Sequence, residues 1–398
     1  MKVFHKVGDE EIFKEFCFDR GIRKATISGY KDALQKYSNF TGKTLEELII
    51  EAENDEENGL RLKRRKINKY LRNFELYLRE LDFLESTVEQ RLLLVKSFYR
   101  HNEIELPRNK KTGVRKARKQ ETIEDLPKME EIRRFMEHCN SVYKAMIVMG
   151  ISSGMGSSEV TSLTFRHLYK ATELKTYPET IKQLIEQLNA KGDFIPTWKI
   201  IRIKKNHEYT TFSSPESVKR IIIYLEELNN KYPDYKPELE DKLFRGLRTN
   251  KPLTANDFSG MFVYVNKAYS FRKTDDDRNL IKTHSLRKFF ASTLERNKVP
   301  HLTTRRLLGH SIDSTTSAYF KVDLNSLKED YLKVVNELMT IEQKVVVINR
   351  YGHKHEFGTL NGIVLESGYL PQDILDRLNY DEYKLNHEEY KLTHKGVY

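Results

Sequence analysis

The 398-residue chain has few cysteines, no long apolar run and no phosphate-binding loop. Its two cysteines, Cys17 and Cys139, lie far apart, so neither a disulfide framework nor a zinc site is indicated, and a reducing cytoplasm is expected. No run of about 18 apolar residues predicts a membrane span, and the opening MKVFHKVGDEE lacks the apolar core of a signal peptide. Without a G-x-x-x-x-G-K-[ST] loop, a nucleotide-driven mechanism is not expected.

Acidic residues are outnumbered by basic ones. The chain has 69 Lys and Arg against 58 Asp and Glu, a formal net charge of +11 and a pI of about 9.2. This balance favours a polyanionic partner. The length suggests two or three domains with ample core.

Two H-x-x-[KR] pairs are present, His167 with Lys170 and His284 with Arg287. With 12 His and 69 Lys and Arg in 398 residues, about two such pairs arise by chance, so the spacing alone carries no weight. The context of the second pair is more informative. THSLRKFFASTLERNKV has apolar residues at helical spacing and places His284 one turn before Arg287.

Two further segments follow this predicted helix. HLTTRRLLGH predicts a helix ending at Gly309, a residue type that adopts positive φ at little cost, so that His310 would lie in a turn. In STTSAYFK, Ser and Thr can cap a short helix that carries Tyr319. The chain thus combines two histidines, an arginine and a phenol within a short, basic stretch.

The succession H-x-L-R, L-G-H and a tyrosine nine residues after that histidine resembles the tyrosine recombinase (phage integrase) family, especially its archaeal branch. The resemblance covers residues from roughly 120 to 345 well and the N-terminal region more loosely. It implies a mostly α-helical fold with a small β-hairpin (α+β), in which a helical DNA-binding bundle precedes the tyrosine recombinase catalytic domain.

The chemistry explains why these residue types belong together. Phosphoryl transfer is catalysed mainly by positioning and charge stabilisation. Tyr319 would be the nucleophile and would form a 3′-phosphotyrosyl link, which conserves bond energy, so neither a metal nor ATP or another cofactor is needed. Arg287 would hold the non-bridging oxygens with its planar fork. His284 and His310 would supply hydrogen bonds and proton transfer near neutral pH.

The family resemblance also implies a lysine on a β-hairpin that protonates the 5′-hydroxyl leaving group. In WKIIRIKKNHEYTTF, two isoleucines alternate with Arg202 and Lys204, which places the isoleucines on one side of a strand and the cations on the other. Asn206 and His207 are predicted to form the turn. Lys204 is the predicted leaving-group acid, with Lys205 as the near alternative. A solvated cationic hairpin is the structural alternative.

The family's first arginine, in a T-G-x-R-x-x-E turn, is missing here. The matching stretch is SGMGSSE, residues 153–159, with Gly156 at the arginine position. Arg166 could compensate only if its helix ended early, because ten helical residues span about 15 Å. Arg202 is the better candidate phosphate contact, since it would lie on the same strand face as Lys204. The N–H groups of 156–158 could also donate to a phosphate, or could simply begin a helix with Glu159 near its positive end.

Charge and periodicity suggest four regions. Residues 1–107 are predicted to be a helical core-binding domain that contacts DNA, built from three or four amphipathic helices. Residues 108–120 contain RNKKTGVRKARK, with seven basic side chains, and read equally well as a linker crossing the phosphate backbone or as a solvated tether. Residues 121–345 would form the catalytic domain.

The remaining 346–398 form an extension without an assigned role, in which a hairpin and a helix are expected. Just before it, LNSLKEDYLKVVNELMTIE is an amphipathic helix that either docks on a neighbouring protomer, as the resemblance implies, or packs within its own chain. His353 and His355 could bind a metal, although two such histidines are more often surface residues, so no metal site is predicted.

The sequence therefore predicts a cytoplasmic, site-specific DNA recombinase. By the family resemblance, it would act on double-stranded DNA as a homotetramer, for integration or excision of a viral or other mobile element, or for resolution of chromosome dimers. One alternative is a DNA-binding protein on the same scaffold whose catalysis has lapsed through Gly156. A topoisomerase is a third, because relaxation uses the same phosphotyrosine chemistry.

Overall fold

The computed structural model describes residues 5–106, 122–203, 206–274, 277–312 and 321–341, together with the backbone of three later strands. The chain divides into two compact units, Met1–Gln120 and Glu121–Tyr398. The basic stretch 108–120 lies outside the described residues. The finer division into four regions therefore stays a prediction.

The first unit is a helical bundle. Its helices are α1 (Glu11–Asp19), α2 (Lys24–Thr41), α3 (Leu45–Glu57), α4 (Lys66–Glu80) and α5 (Glu85–His101). Within residues 5–106 the predicted three or four helices are thus five, and the additional one is α3, an acidic helix begun by a Thr44–Glu47 capping box. Edge-on aromatic pairs such as Tyr37 with Phe74 fill the core between the helices.

The second unit is also mostly helical and surrounds helix α7. It contains α6 (Met129–Glu137), α7 (Ser141–Ser153), α8 (Ser157–Ser162), α9 (Phe165–Ala171), α10 (Ile181–Lys191), α11 (Pro215–Lys231), α12 (Ala255–Tyr269), α13 (Thr283–Arg296), α14 (His301–Leu307) and α15 (Leu324–Leu332). Most of α7 is buried, because α11 and α13 pack against it. This packing brings the C-terminal end of α7 close to the predicted His-Arg helix α13.

The predicted hairpin is present as two antiparallel strands, β1 (Thr197–Arg202) and β2 (His207–Phe212). Asn206 has a positive φ of 51° and lies in the turn, whereas His207 is already in β2, paired with Arg202, so its assignment to the turn is wrong. The predicted alternation holds, and Arg202 lies on the buried side. Ile201 remains 55% exposed on the other side. The mostly helical fold with a small antiparallel sheet is confirmed.

The segment after residue 321 packs into its own unit. Tyr331 of α15 is fully buried, and its hydroxyl donates a 2.8 Å hydrogen bond to the Ser152 carbonyl. A 3-10 helix, Val335–Leu338, follows, and the buried Glu216 carboxylate then accepts the Thr340 N–H at 2.6 Å. Of the two alternatives for this segment, the structure shows intramolecular packing.

Three strands lie further along the chain, and they form an antiparallel sheet in the order β4-β3-β5. The strands are β3 (Val345–Asn349), β4 (Lys354–Phe357) and β5 (Tyr390–Thr393). The expected C-terminal hairpin corresponds to β3 and β4, and the expected helix lies outside the described residues. None of the described helices is long and apolar enough to cross a membrane.

Candidate active site

Helix α13 carries His284 and Arg287 on successive turns, as their spacing predicts. Arg287 is 7% exposed, and backbone oxygens hold its guanidinium. Its Nη1 donates a 2.6 Å hydrogen bond to the Gly154 carbonyl, and its Nη2 donates to the Leu308 carbonyl. Burial and the nearby Arg202 lower the pKa of Arg287, yet an arginine stays charged in a protein. The site therefore contains a fixed, buried positive charge.

The end of helix α14 positions His310. Gly309 adopts a φ of +59°, as expected from its place after the helix, and its N–H donates to the Arg306 carbonyl. The N–H of His310 donates to the Arg305 carbonyl at 2.9 Å, which completes a Schellman motif. His310 consequently lies in the turn directly after the helix, with its side chain exposed.

Arg202, at the end of β1, reaches Arg287 from a distant part of the sequence. Its Nη1 donates a 2.7 Å hydrogen bond to the Leu308 carbonyl, which also accepts from Arg287. A strand and a helix therefore bring two guanidinium groups to one carbonyl oxygen. Arg166, the other arginine considered as a substitute, lies at the start of α9 and pairs with Glu240.

Glu159 is the buried carboxylate between the two arginines. Its Oε2 lies 3.5 Å from Arg287 Nη1, and its Oε1 lies 3.6 Å from Arg202 Nη1. Oε2 also accepts a 3.2 Å hydrogen bond from the Tyr209 hydroxyl. Burial, followed by the charge of Glu159, raises the pKa of Tyr209, so the phenol keeps its proton and donates it. Glu159 thus fixes both guanidinium groups.

Helix α8 begins immediately after Gly156, its N-cap residue. Glu159 lies near the positive end of the helix, as predicted, and Gly156 N–H donates a 2.7 Å hydrogen bond to Glu159 Oε2. The hypothesis that this turn donates its N–H groups to a phosphate is therefore wrong for Gly156, because its N–H is already used.

An open cavity of about 330 Å³ lies beside these groups, and Arg202, His301, Arg305, His310 and Ser311 line it. Arg305 is held by a 2.5 Å hydrogen bond from its Nη2 to the Ser311 carbonyl. Partial burial of the ring, and then the charges of the surrounding arginines, lower the pKa of His310. His310 is therefore neutral at pH 7, and one of its ring nitrogens can accept a proton. The cavity suits an anion in charge and in hydrogen-bond donors.

The sequence profile of the phage integrase family matches residues 128–326, which is half of the chain. The chain belongs to the phage integrase family. It is a site-specific recombinase of the tyrosine recombinase class, which cleaves and rejoins DNA through a phosphotyrosine intermediate. The alternative of a lapsed enzyme is not favoured over this activity.

Curated proteins of similar sequence are named as tyrosine recombinases. It is 25% identical over 262 residues to the tyrosine recombinase XerC of Rickettsia bellii (strain RML369-C), covering 63% of this chain and 74% of that protein. It is 22% identical over 324 residues to the tyrosine recombinase XerD of the same strain, covering 79% of this chain and 93% of that protein.

Solved structures give a more distant likeness. A lambda integrase (75-356) dimer bound to a COC′ core site matches with 12% identity and a TM-score of 0.47, over 78% of this chain and 96% of that one. The XerH site-specific recombinase bound to palindromic difH substrate, in a post-cleavage complex, matches with 16% identity and a TM-score of 0.46. That match covers 80% of this chain and 82% of the XerH chain.

The structure of the integrase brings three of the six predicted residues into one region. Arg287 and Arg202 meet at the Leu308 carbonyl, and His310 follows two residues later at the cavity. His284 is exposed and lies one helical turn before Arg287, in the first turn of α13. Tyr319, Lys204 and Lys205 lie outside the described residues, so their predicted roles are untested.

Sequence reasoning misses several contributors to this region. The pairing of Glu159 with two arginines and its bond to Tyr209 join residues 43 to 128 positions apart, which no local pattern signals. His301 and Arg305 could have been found, because they stand four residues apart on α14 and share one helix face. In the first H-x-x-[KR] pair, His167 bonds Thr164 at the start of α9, a structural role.

Within the described ranges, no group of three or more His, Cys, Asp or Glu side chains is arranged to hold a metal ion. His353 lies outside those ranges, so the structure does not test a metal site that includes it. The polar groups that the described part of the site offers are guanidinium, imidazole and one buried carboxylate.

Proposed function

We propose that Tyr319 of this recombinase attacks a DNA phosphodiester held by Arg287, His284 and His310, with Lys204 as the acid for the leaving group. The single observation that supports this best is the meeting of Arg202, Arg287 and His310 beside an open cavity of about 330 Å³. These groups come from a strand, a helix and a helix end, and they bring positive charge and hydrogen-bond donors to one place.

The steps balance without a metal or a nucleotide. The Tyr319 oxygen forms a bond to phosphorus as the bond to the 5′ oxygen breaks, and the phenolic proton passes to a base. His310 suits that role, because its pKa is lowered and its imidazole is neutral at pH 7. The 5′ oxygen takes a proton from Lys204, with Lys205 as the alternative donor. Arg287 stabilises the charge that develops on the non-bridging oxygens.

Rejoining is the same sequence in reverse, with a 5′-hydroxyl of the partner strand attacking the phosphotyrosyl link. Because the link retains the energy of the broken phosphodiester, no external energy source enters. The neutral imidazole that accepted the phenolic proton returns it to Tyr319 as the link breaks.

The finer assignments are also part of this proposal. The hairpin followed by SSPESVKRIIIYLEEL favours an archaeal-type integrase, with a homotetramer on a specific double-stranded site, as the family resemblance implies. Its role would be integration or excision of a viral or mobile element, or resolution of chromosome dimers. The excess of basic residues supports the DNA partner, and a cytoplasmic location remains the prediction from the cysteines.

The test is covalent trapping. Duplexes that bind the protein are selected from a random-sequence pool and then rebuilt with a nick near the centre, so that cleavage releases a short fragment and leaves the adduct stranded. We expect a denaturant-resistant protein–DNA adduct from the wild type and none from Tyr319→Phe. Tyr264→Phe is the matched control, because Tyr264 lies 69% exposed on α12.

Each outcome separates the alternatives. An adduct that persists in Tyr319→Phe contradicts the assignment of the nucleophile. Specific binding by the wild type without any adduct supports the lapsed enzyme, and relaxation of supercoiled plasmid without strand exchange supports a topoisomerase. In the same DNA, a bridging 5′ sulfur leaves without needing a proton, so it should rescue the variant of whichever lysine, Lys204 or Lys205, is the acid.

A further inference from the structure

Two arginine side chains meet at a single point in the second unit, Glu121–Tyr398, which is called the catalytic unit below. Arg202 and Arg287 both donate to the Leu308 carbonyl, and each lies about 3.5 Å from one oxygen of Glu159. Like charges at such close range repel one another, and this arrangement persists only where the surroundings compensate it. The surroundings of the cluster therefore have to compensate two neighbouring cations.

The charges of the cluster do not cancel. Glu159 contributes one negative charge, the two guanidinium groups contribute two positive charges, and Tyr209 is a neutral donor to the same carboxylate. Arg305 and His310 on the neighbouring cavity wall bring further positive or neutral groups. A net positive charge remains, and it is available to an anion in the cavity.

The two arginines differ in their access to the cavity. The side chain of Arg202 is 17% exposed and lines the cavity, whereas the side chain of Arg287 is 9% exposed. Arg287 has both terminal nitrogens on backbone carbonyls. Arg202 is therefore the more accessible of the two guanidinium groups to an incoming phosphate.

Gly156 stands at the position where the family resemblance places a second arginine. A Cβ at this position would have Glu159 Oε2 as its nearest neighbour, at 3.4 Å, so a side chain there would start beside the carboxylate that Arg202 also approaches. The backbone of Gly156 has φ −77° and ψ 165°, which any residue can adopt. Gly156 thus leaves room at Glu159, and Arg202 reaches that carboxylate from β1.

We propose that Arg202 is a further catalytic residue, supplying the guanidinium that position 156 lacks and binding a non-bridging oxygen of the scissile phosphate together with Arg287. The inference rests on the proposed function, since it assumes that the phosphate attacked by Tyr319 occupies the cavity. It places the second phosphate-binding arginine on the hairpin strand that leads into Lys204.

A purely structural role for Arg202 is the competing explanation. Its hydrogen bond to the Leu308 carbonyl could serve only to hold the end of α14, and thereby His310, in place. The two roles differ in one measurable respect. A phosphate-binding arginine matters because the non-bridging oxygens are charged, so its loss is relieved when that charge is removed from the DNA, whereas a structural role is insensitive to it.

The experiment measures the rate of adduct formation on the nicked DNA, with either a normal phosphate or a neutral methylphosphonate at the scissile position. The variants are Arg202→Ala, Arg202→Lys and the double variant Arg202→Ala with Gly156→Arg. Arg166→Ala is the matched control, since Arg166 is an exposed arginine of the same unit that pairs with Glu240.

With the normal phosphate we expect Arg202→Ala to slow adduct formation by about 100-fold to 1,000-fold, the loss typical of one preorganised donor. The Arg166→Ala control should keep the wild-type rate within about threefold. Methylphosphonate should bring Arg202→Ala within about tenfold of the wild type on the same DNA. Restoring an arginine at position 156 should recover at least about tenfold of the lost rate.

Several results would overturn the inference. One is an Arg202→Ala rate within about threefold of the wild type; another is an equal deficit on both DNAs. If Arg202→Ala does not fold, Arg202→Lys decides, because it keeps a cation and a donor for the Leu308 carbonyl. Loss of the planar fork should still slow adduct formation by about tenfold or more, and an unchanged rate contradicts the proposal.

Failure of this inference is distinguishable from failure of the proposed function. If the wild type forms no adduct on DNA that it binds specifically, the phosphotyrosine mechanism itself fails and Arg202 is irrelevant. If Tyr319→Phe abolishes the adduct while Arg202→Ala does not affect it, the recombinase stands and only the role of Arg202 is lost.

Discussion

Buried carboxylates serve two purposes in this recombinase, and the second is found at Glu159 of the catalytic unit. In the N-terminal bundle, Glu10 accepts the Leu45 N–H at 2.8 Å at the start of α3, and Asp55 accepts the Lys66 N–H at 2.6 Å at the start of α4. Each satisfies a helix end that has no intrahelical partner. In the catalytic unit, Glu216 accepts the Thr340 N–H in the same way, whereas Glu159 accepts the Gly156 N–H and in addition faces two guanidinium groups.

This difference separates architecture from chemistry. A buried carboxylate whose main partner is a backbone N–H completes a local structure. A buried carboxylate shared by Arg202 and Arg287 leaves a surplus positive charge beside an open cavity. Sites that stabilise anionic transition states hold preorganised positive charge that the neighbouring carboxylates do not fully neutralise.

The largest expected effect comes from neutralising each carboxylate. Glu159→Gln removes the charge that compensates two buried cations, and we expect a loss of about 3 to 5 kcal/mol in the free energy of unfolding of the catalytic unit. Glu10→Gln should cost about 1 kcal/mol or less, because burial already raises the pKa of Glu10 and disfavours its charged form. Urea unfolding of the full chain, followed separately for each unit, measures both.

Equal losses in the two variants would remove the distinction between the units. The stability of a double variant, Glu159→Gln with Arg202→Ala, sharpens the test, because this variant loses one cation together with the carboxylate. It should regain part of the stability lost in Glu159→Gln, and a purely additive loss would argue that the two groups are not coupled.

A second comparison uses two glycines that end helices. Gly42 follows α2 with φ +71°, and Gly309 follows α14 with φ +59°. A Cβ at Gly42 would meet nothing within 4 Å, whereas one at Gly309 would lie 2.6 Å from the Tyr209 ring. We expect Gly42→Ala to cost about 1 kcal/mol for the left-handed backbone alone, and Gly309→Ala to cost about 2 to 4 kcal/mol.

Thermal unfolding and the rate of adduct formation are measured for both glycine variants. Displacing Tyr209 disturbs the donor to Glu159, and breaking the Schellman motif moves His310, so Gly309→Ala should also slow cleavage. Gly42→Ala, which is distant from this cluster in sequence, should leave the rate per bound complex unchanged. A similar rate in both variants would mean that the turn does not position His310.

The smallest effect is a pH dependence. The pKa of His310 is lowered by burial and then by Arg287, Arg202 and Arg305, so the imidazole is neutral above its ordinary value of about 6.5. Cleavage that needs the neutral ring should decline only below that pH, by about tenfold per unit once the lowered pKa is passed. The unfolded chain takes up this proton first, so stability also falls as the pH drops below about 6.5.

Removing a neighbouring charge sharpens this prediction. Arg305→Ala eliminates one cause of the lowered pKa, so the acid limb of the cleavage profile should move to higher pH. The Arg166→Ala control should leave the limb in place, because Arg166 is paired elsewhere. An acid limb that does not move in Arg305→Ala would show that a group other than His310 controls it.

The sequence predicts the local parts of this protein well. Periodicity identifies α13 and α14, the glycine after α14 predicts the left-handed turn that places His310, and alternation identifies the hairpin. It underestimates the number of helices in the N-terminal bundle, because the acidic helix α3 is not predicted. All of these features depend on interactions within a few residues, where spacing and residue type carry the information.

Alternation separates the two sides of β1, yet it does not say which side is buried. Ile201 and Ile203 stand on one side, whereas Trp198, Ile200 and Arg202 stand on the other. In the structure Trp198 and Ile200 are buried, Ile201 and Ile203 are exposed, and Arg202 lies on the inward side, where it meets Glu159 and the Leu308 carbonyl. Packing partners distant in sequence made that choice.

The sequence by itself therefore determined the helices, the hairpin and the His310 turn, because short-range hydrogen bonds and side-chain periodicity decide them. Only the tertiary structure decided that Arg202 joins Arg287 at one carbonyl and one carboxylate. Those contacts connect residues 106 and 21 positions from Leu308, and their energy depends on burial that no local pattern contains.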